Sequence, residues 1–115
     1  MQPDGSVLLY DNGNFKSGDP TTRIVRYVVD EETHTAEQVL DLDMGVFMNT
    51  MGGVIPLDNG NFQVTLGGHR DRSMPASVVE VTPDGELVWE MELSAVGAYW
   101  TIYRSDFFQF AQPVQ

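Results

Sequence analysis

The feature of this sequence that most restricts its fold is a five-residue string that occurs twice. Asp-Asn-Gly-Asn-Phe occupies residues 11–15 and recurs at residues 58–62, each time after a short apolar segment. An Asn-Gly pair accepts positive φ at both central positions of a type I′ turn, whose twist matches a pair of antiparallel strands. The duplication therefore predicts two hairpin turns in a chain built from repeated β units.

The rest of the chain is rich in short segments with the composition or alternation typical of strands. The predicted strands are residues 5–10, 23–30, 35–43, 47–57, 62–67, 76–82, 86–93 and 99–104. Strict alternation in the segment 86–93 predicts one apolar face that contains Leu87, Trp89, Met91 and Leu93. No window has a clean helical period of apolar residues, so we expect an all-β protein with antiparallel sheets.

Later segments of the two copies also correspond. Residues 23–30 align with residues 77–84, and residues 38–43 align with residues 87–92. A period of about 50 residues with several short strands is typical of a propeller blade. We therefore interpret residues 1–115 as a single domain of two blade-like repeats, residues 4–46 and 47–98, with an extra C-terminal strand at residues 99–110.

Charge and composition restrict the partners. The chain has 17 acidic and 6 basic residues, a net charge of −11 and no cysteine. Such a chain repels phosphate groups, so we expect neither a nucleic acid nor a membrane as partner. The absence of cysteine excludes disulfides and thiolate metal sites. The first residues lack the basic and apolar regions of a signal peptide, so a cytoplasmic location is the default expectation.

One loop carries a candidate binding chemistry. His69 follows two glycines and precedes Arg70, Asp71 and Arg72. Glycines permit close approach of a ligand, and arginines bind sulfate or phosphate through a planar fork. His69, Arg70 and Arg72 are therefore the candidate anion site. The alternative is a solvated loop in which arginine and aspartate pair with each other, and His34 is predicted in a solvated turn.

Metal and cofactor sites are not expected. The Asp-Asn-Gly-Asn strings lack the alternating oxygen ligands and the distal glutamate of a calcium loop. The sequence also has no zinc-ligand spacing and no phosphate-binding glycine loop.

The segment 99–110 is dense in aromatic residues. A strand that is apolar on both faces requires cover on both, either from its own chain or from another subunit. Two blades also leave open edges, which favours self-association. Three such chains would complete a six-bladed ring, so a trimer is expected. A dimer with exchanged strands and a monomeric sandwich or barrel are the alternatives.

Several segments resemble, in the same order, the C-terminal end of the arylsulfotransferase family. They are residues 5–14, 22–27, 29–31, 35–39, 51–61, 77–85 and 88–90, together with Tyr103-Arg104. Residues 35–39 resemble the family's Thr-x-x-Gln-Val-Trp strand, with Leu40 in the place of tryptophan.

The resemblance implies a piece of a six-bladed propeller that transfers sulfate between phenolic compounds through a sulfated histidine in the central channel. The catalytic residues of the family lie upstream of the Asp-Asn-Gly strand, so none is carried over to this chain. We therefore expect a non-catalytic binding or assembly module, with a small anionic or aromatic ligand. The alternatives are a residual aryl-sulfate sulfotransferase with His69 as nucleophile, or a truncated product without function alone. The resemblance also allows a periplasmic location.

Overall fold

The computed structural model describes residues 1–69, 74–94, 96 and 100–107, which form two antiparallel sheets. Sheet 1 consists of β1 (Ser6–Asp11), β2 (Arg23–Asp30) and β3 (Thr35–Asp43). Sheet 2 consists of β4 (Gly53–Pro56), β5 (Phe62–Leu66), β6 (Ala76–Val81) and β7 (Leu87–Leu93). The predicted all-β, antiparallel fold class is confirmed. Within the described part of the chain, no helix is long and apolar enough to span a membrane.

Two of the predicted strands differ from the structure. Of the predicted strand 47–57 only β4 forms, because Met48 is buried in the core and its amide donates a hydrogen bond to the Thr22 hydroxyl (2.8 Å). The predicted C-terminal strand is wrong for residues 100–107, which form no strand. This segment instead crosses sheet 2 through isolated bonds, such as the one from the Ile102 amide to the Gly67 carbonyl (3.1 Å).

Three turns share one hydrogen-bond pattern. In the turn that joins β4 to β5, the Gly60 amide donates to the Leu57 carbonyl (3.0 Å) and the Leu57 amide donates to the Asn61 carbonyl (2.8 Å). The same two bonds close residues 2–6 and residues 82–86. In each turn a glycine has a φ of 82° to 88°. The pattern is that of a type I turn followed by a glycine bulge.

The type I′ prediction is therefore wrong for this turn. A type I′ turn requires positive φ at Asn59 as well as at Gly60. Among the described residues, positive φ outside glycine occurs only at His34 and Met51.

The first Asp-Asn-Gly string does not form a tight hairpin turn. It begins at Asp11, the last residue of β1, and opens the loop that leads to Arg23, the first residue of β2. The Asn12 side chain donates to the carbonyl oxygens of Met48 (2.6 Å) and Met51 (3.0 Å), which fastens this loop to the segment before β4. The two identical strings thus have different structural roles.

The hairpins β2–β3 and β6–β7 nevertheless have the same cross-strand register. The matching cross-strand pairs are Ile24–Leu42 with Val78–Met91, and Arg26–Leu40 with Glu80–Trp89. In both hairpins a register shift follows the second pair and leaves one valine unpaired, Val39 or Val88. This agreement follows the alignment of residues 23–30 with 77–84 and of residues 38–43 with 87–92.

The unpaired residue of β7 corrects one prediction. Because Val88 is skipped, Leu87 lies opposite Val81, on the side of sheet 2 that faces sheet 1, although it is exposed there. Trp89 lies opposite Glu80 on the other side of the sheet. Met91 and Leu93 share the side of Trp89, and Leu87 does not.

The first strand of sheet 1 corresponds to β5 and not to β4. Leu8 pairs with Arg26 as Gln63 pairs with Glu80, and the turn before β1 has the hydrogen bonds of the turn before β5. Among the described residues, sheet 1 has no counterpart of β4.

The core lies between the two sheets. Its fully buried side chains are Ile24, Met48, Phe62, Val64, Leu66, Val79 and Val81. Leu8, Tyr10, Leu40 and Leu42 of sheet 1 pack against this cluster. Each buried aliphatic or aromatic side chain contributes roughly 1.5–3 kcal/mol, so the contact between the sheets is the main source of stability.

Candidate functional site

The two sheets use opposite sides of the repeated hairpin to make the core. We call the side that carries Ile24, Leu40 and Leu42 in sheet 1 the front face, and the side that carries Val25 and Tyr27 the back face. The front face of sheet 1 faces the core. In sheet 2, Val79 and Val81 face the core, and they are the counterparts of Val25 and Tyr27. The contact is therefore front to back.

A front-to-back contact leaves one face of each kind outside the core between the sheets, and we call these two the open faces. The open front face belongs to sheet 2, where Trp89 and Met91 are the counterparts of Leu40 and Leu42. The open back face belongs to sheet 1. Val25 at its centre is buried within the chain, and the exposed apolar residues of this face are Leu9 and Val29. A front-to-front contact would instead leave two identical faces, as in a two-fold symmetric sandwich.

The open front face is apolar along its outer strand. All residues of β7 are exposed, and Trp89, Met91 and Leu93 on the front face are 43%, 53% and 37% exposed. The inner strands of this face are covered. Ala76 and Val78 of β6 are buried, and so are Gln63 and Thr65 of β5, which hydrogen bond with the Ser105 side chain. Large exposed apolar side chains in a row are typical of an interaction surface.

A polar network fixes the orientation of Trp89 on this face. The Glu80 carboxylate accepts hydrogen bonds from the side chains of Asn61 (2.8 Å), Asn59 (3.1 Å) and Trp89 (Nε1, 2.9 Å). The bond from Asn61, followed by those from Asn59 and Trp89, lowers the pKa of Glu80 below its ordinary value. The carboxylate is therefore ionised at neutral pH and holds the indole in one orientation.

The open back face combines exposed aliphatic side chains with ion pairs. Leu9 and Val29 are each 44% exposed on this side of sheet 1. Near them, the Arg23 guanidinium contacts the carboxylates of Asp11 (Nε to Oδ2, 2.9 Å) and Asp41 (Nη1 to Oδ2, 2.8 Å). These partly exposed pairs contribute little stability, but they hold the arginine flat across the strands.

The outermost strands are poor acceptors for further strands. The edge strands β3 and β7 contain several acidic residues, namely Glu37, Asp41, Asp43, Glu90 and Glu92. Charged side chains on edge strands oppose edge-to-edge pairing. The faces of the sheets are therefore better contact surfaces than these two edges.

A cleft opens between β3 and β7 where the front face of sheet 1 meets the back face of sheet 2. It has a volume of about 190 Å³ and is lined by apolar side chains that include Met44, Val46 and Leu87. Two carboxylate residues, Asp43 and Glu90, also line it. The cleft is thus a feature of the front-to-back contact itself.

The structure describes only part of the predicted anion site. His69 lies half-buried after the end of β5, and its ring contacts the Phe47 ring edge-on, with centroids 5.3 Å apart and planes at 67°. Arg70 and Arg72 lie outside the described residues. His34 occupies the exposed tip of the β2–β3 hairpin with φ 54°.

Sequence reasoning missed one buried titratable group. The Tyr10 ring packs against Gly52, and its hydroxyl faces Thr22 and the backbone of Gly67 without completing a hydrogen bond to either. Burial raises the pKa of Tyr10 to about 12. The phenol therefore stays protonated at neutral pH and is part of the packing. Nothing in an apolar run that ends in tyrosine signals this position.

Neither a group of metal ligands nor a known relative indicates a function for the described part of the chain. Within residues 1–69, 74–94, 96 and 100–107, no three histidine or acidic side chains are grouped as metal ligands would be. No family model, curated protein or solved structure matches the chain.

Proposed function

We propose that this chain is a non-catalytic assembly module whose copies bind head to tail. The open front face of sheet 2 in one copy packs on the open back face of sheet 1 in the next. The observation that carries the proposal is the equivalence of the faces. Each open face is the repeat counterpart of a face that is buried between the sheets of a single chain.

The side chains at the proposed contact fit this role. Trp89 and Met91 take the positions from which Leu40 and Leu42 reach the core, and they would pack near Leu9 and Tyr27 on the back face of the next copy. Tryptophan and methionine are enriched at protein interfaces. Because Glu80 already holds the indole, little rotational freedom is lost when the contact forms.

Head-to-tail contacts close into a ring when the rotation that relates one copy to the next is a whole-number fraction of 360°. Three copies of two sheets give six sheets, which is the blade number of the arylsulfotransferase family that the sequence resembles. We therefore propose a trimer, with a dimer as the alternative closed form. Each junction would form a cleft like the one between β3 and β7, suited to a small aromatic ligand.

The test is a solution mass measurement by light scattering over a range of concentrations. The expected mass is three times the 12.8 kDa of one chain. Met91→Glu places a charge in the contact and is expected to give single chains. The control is Phe15→Glu, since Phe15 is fully exposed in the loop between β1 and β2 and lies on neither face. A wild-type chain that remains a monomer up to millimolar concentration would refute the proposal.

A further inference from the structure

The two sheets differ in strand number at equivalent places. In sheet 2, β4 pairs with β5 through Gly53–Thr65, Val54–Val64, Ile55–Gln63 and Pro56–Phe62. In sheet 1 the counterpart of β5 is β1, which pairs only with β2 among the described residues. The other edge of β1 has no strand beside it in that part of the chain.

The residues before β1 already turn toward this edge. Gln2 and Gly5 make the backbone hydrogen bonds that Leu57 and Gly60 make before β5. In sheet 2 the residue before Leu57 is Pro56, the last residue of β4. The corresponding residue of sheet 1 is Met1, which is 87% exposed. The turn geometry for a further strand is thus present at the edge of β1.

The side chains of β1 also resemble those of β5, the strand that pairs with β4. Leu9 is the counterpart of Val64, and both positions carry an aliphatic side chain. Unlike β3 and β7, β1 carries no acidic residue before its last position, Asp11. Acidic side chains therefore do not protect this edge against strand addition.

We propose that this edge of β1, which pairs with no strand among the described residues, accepts one extended peptide segment, antiparallel to β1 and with the chemistry of β4. The occupant is a four-residue apolar strand with β-branched side chains, as in Gly53–Pro56. Its second residue lies opposite Leu9 and its third opposite Leu8, in the register of β4 on β5. The contact uses backbone hydrogen bonds at an edge, so it is separate from the proposed face-to-face assembly.

The test inserts Gly-Val-Ile-Pro between Met1 and Gln2, which puts the β4 sequence in register with β1. The control inserts Gly-Ser-Gly-Ser at the same place. Both insertions are made in the Met91→Glu background, so that the result does not depend on assembly. Relative to the control, the apolar insertion is expected to raise the melting temperature by about 3–8 °C. It is also expected to slow amide exchange in β1.

A second measurement uses a synthetic peptide with the sequence of residues 52–57. Labelled peptide is expected to bind the chain that carries the Gly-Ser insertion and not the chain whose edge is filled by Gly-Val-Ile-Pro. Equal melting temperatures and equal β1 exchange in the two insertions would overturn the proposal. Equal peptide binding to both would also overturn it, because the bound site would not be the edge of β1.

Discussion

Arg26 and Glu80 occupy the same position in the two hairpins, one opposite Leu40 and the other opposite Trp89. The Arg26 guanidinium lies over the Phe62 ring, 5.5 Å from its centroid, in the contact between the sheets. Glu80 lies on the open front face of sheet 2 and binds Trp89. The front face that is buried within the chain thus carries a cation, and the open one carries an anion. The two hairpins therefore share a register but carry opposite charges at this position.

Gly52 is expected to be indispensable for packing. Its φ is 104°, and a methyl group there would overlap the Tyr10 ring and lie 2.6 Å from the Thr65 carbonyl oxygen. Gly52→Ala should therefore lower the free energy of unfolding by about 2–4 kcal/mol, as measured by urea denaturation. Gly53→Ala is the matched control, because no atom lies within 4 Å of its added methyl. Equal stability of the two variants would contradict the packing of Tyr10 on this loop.

Ser105 is expected to anchor the segment 100–107 on β5. Its hydroxyl accepts a hydrogen bond from the Gln63 side chain (2.9 Å) and contacts the Thr65 hydroxyl, and both partners are buried. Ser105→Ala leaves the Gln63 amide without this partner and should cost about 1–3 kcal/mol of stability. Thr101→Ala changes an exposed residue of the same segment and should leave the urea midpoint unchanged. A neutral Ser105→Ala would mean that the segment is held by other contacts.

Stability should fall in acid, in part through Glu80. Hydrogen bonds, first from Asn61, lower the folded-state pKa of Glu80 below that of the unfolded chain. Its contribution is therefore present above the unfolded pKa of about 4.3 and is lost as the pH falls through the folded pKa. Melting temperatures between pH 7 and pH 3 should fall less in Glu80→Gln than in the wild type. Parallel curves for the two proteins would contradict this role of the carboxylate.

The strands were largely predictable because local composition determines them. The boundaries of β2 and β3 coincide with the predicted segments, since a run rich in Val, Ile and Tyr is followed by a turn and a second alternating segment. The bulges at Val39 and Val88 were not predictable, because no residue type marks the loss of one cross-strand pair. Strict alternation therefore assigned Leu87 to the wrong face.

The site was harder to predict, because it depends on which face of each sheet is buried. The identical strings at residues 11–15 and 58–62 are the most obvious repeat, but the structural repeat matches the turn at residues 57–61 with the turn at residues 2–6. Only the pairing of β1 with β2 reveals this equivalence. The alternation of residues 86–93 correctly predicted that Trp89 lies on an apolar strand face. That Trp89 corresponds to Leu40, a residue of the core contact, follows only from the repeat alignment together with the observed register.

The most direct test of head-to-tail assembly is complementation between two variants. Leu9→Glu alters the open back face, and Met91→Glu alters the open front face. Light scattering should give single chains for each variant alone and the mass of two chains for an equimolar mixture, because the mixture retains one intact front and one intact back face. A mixture that remains monomeric, or a Leu9→Glu variant that still self-associates, would contradict the account.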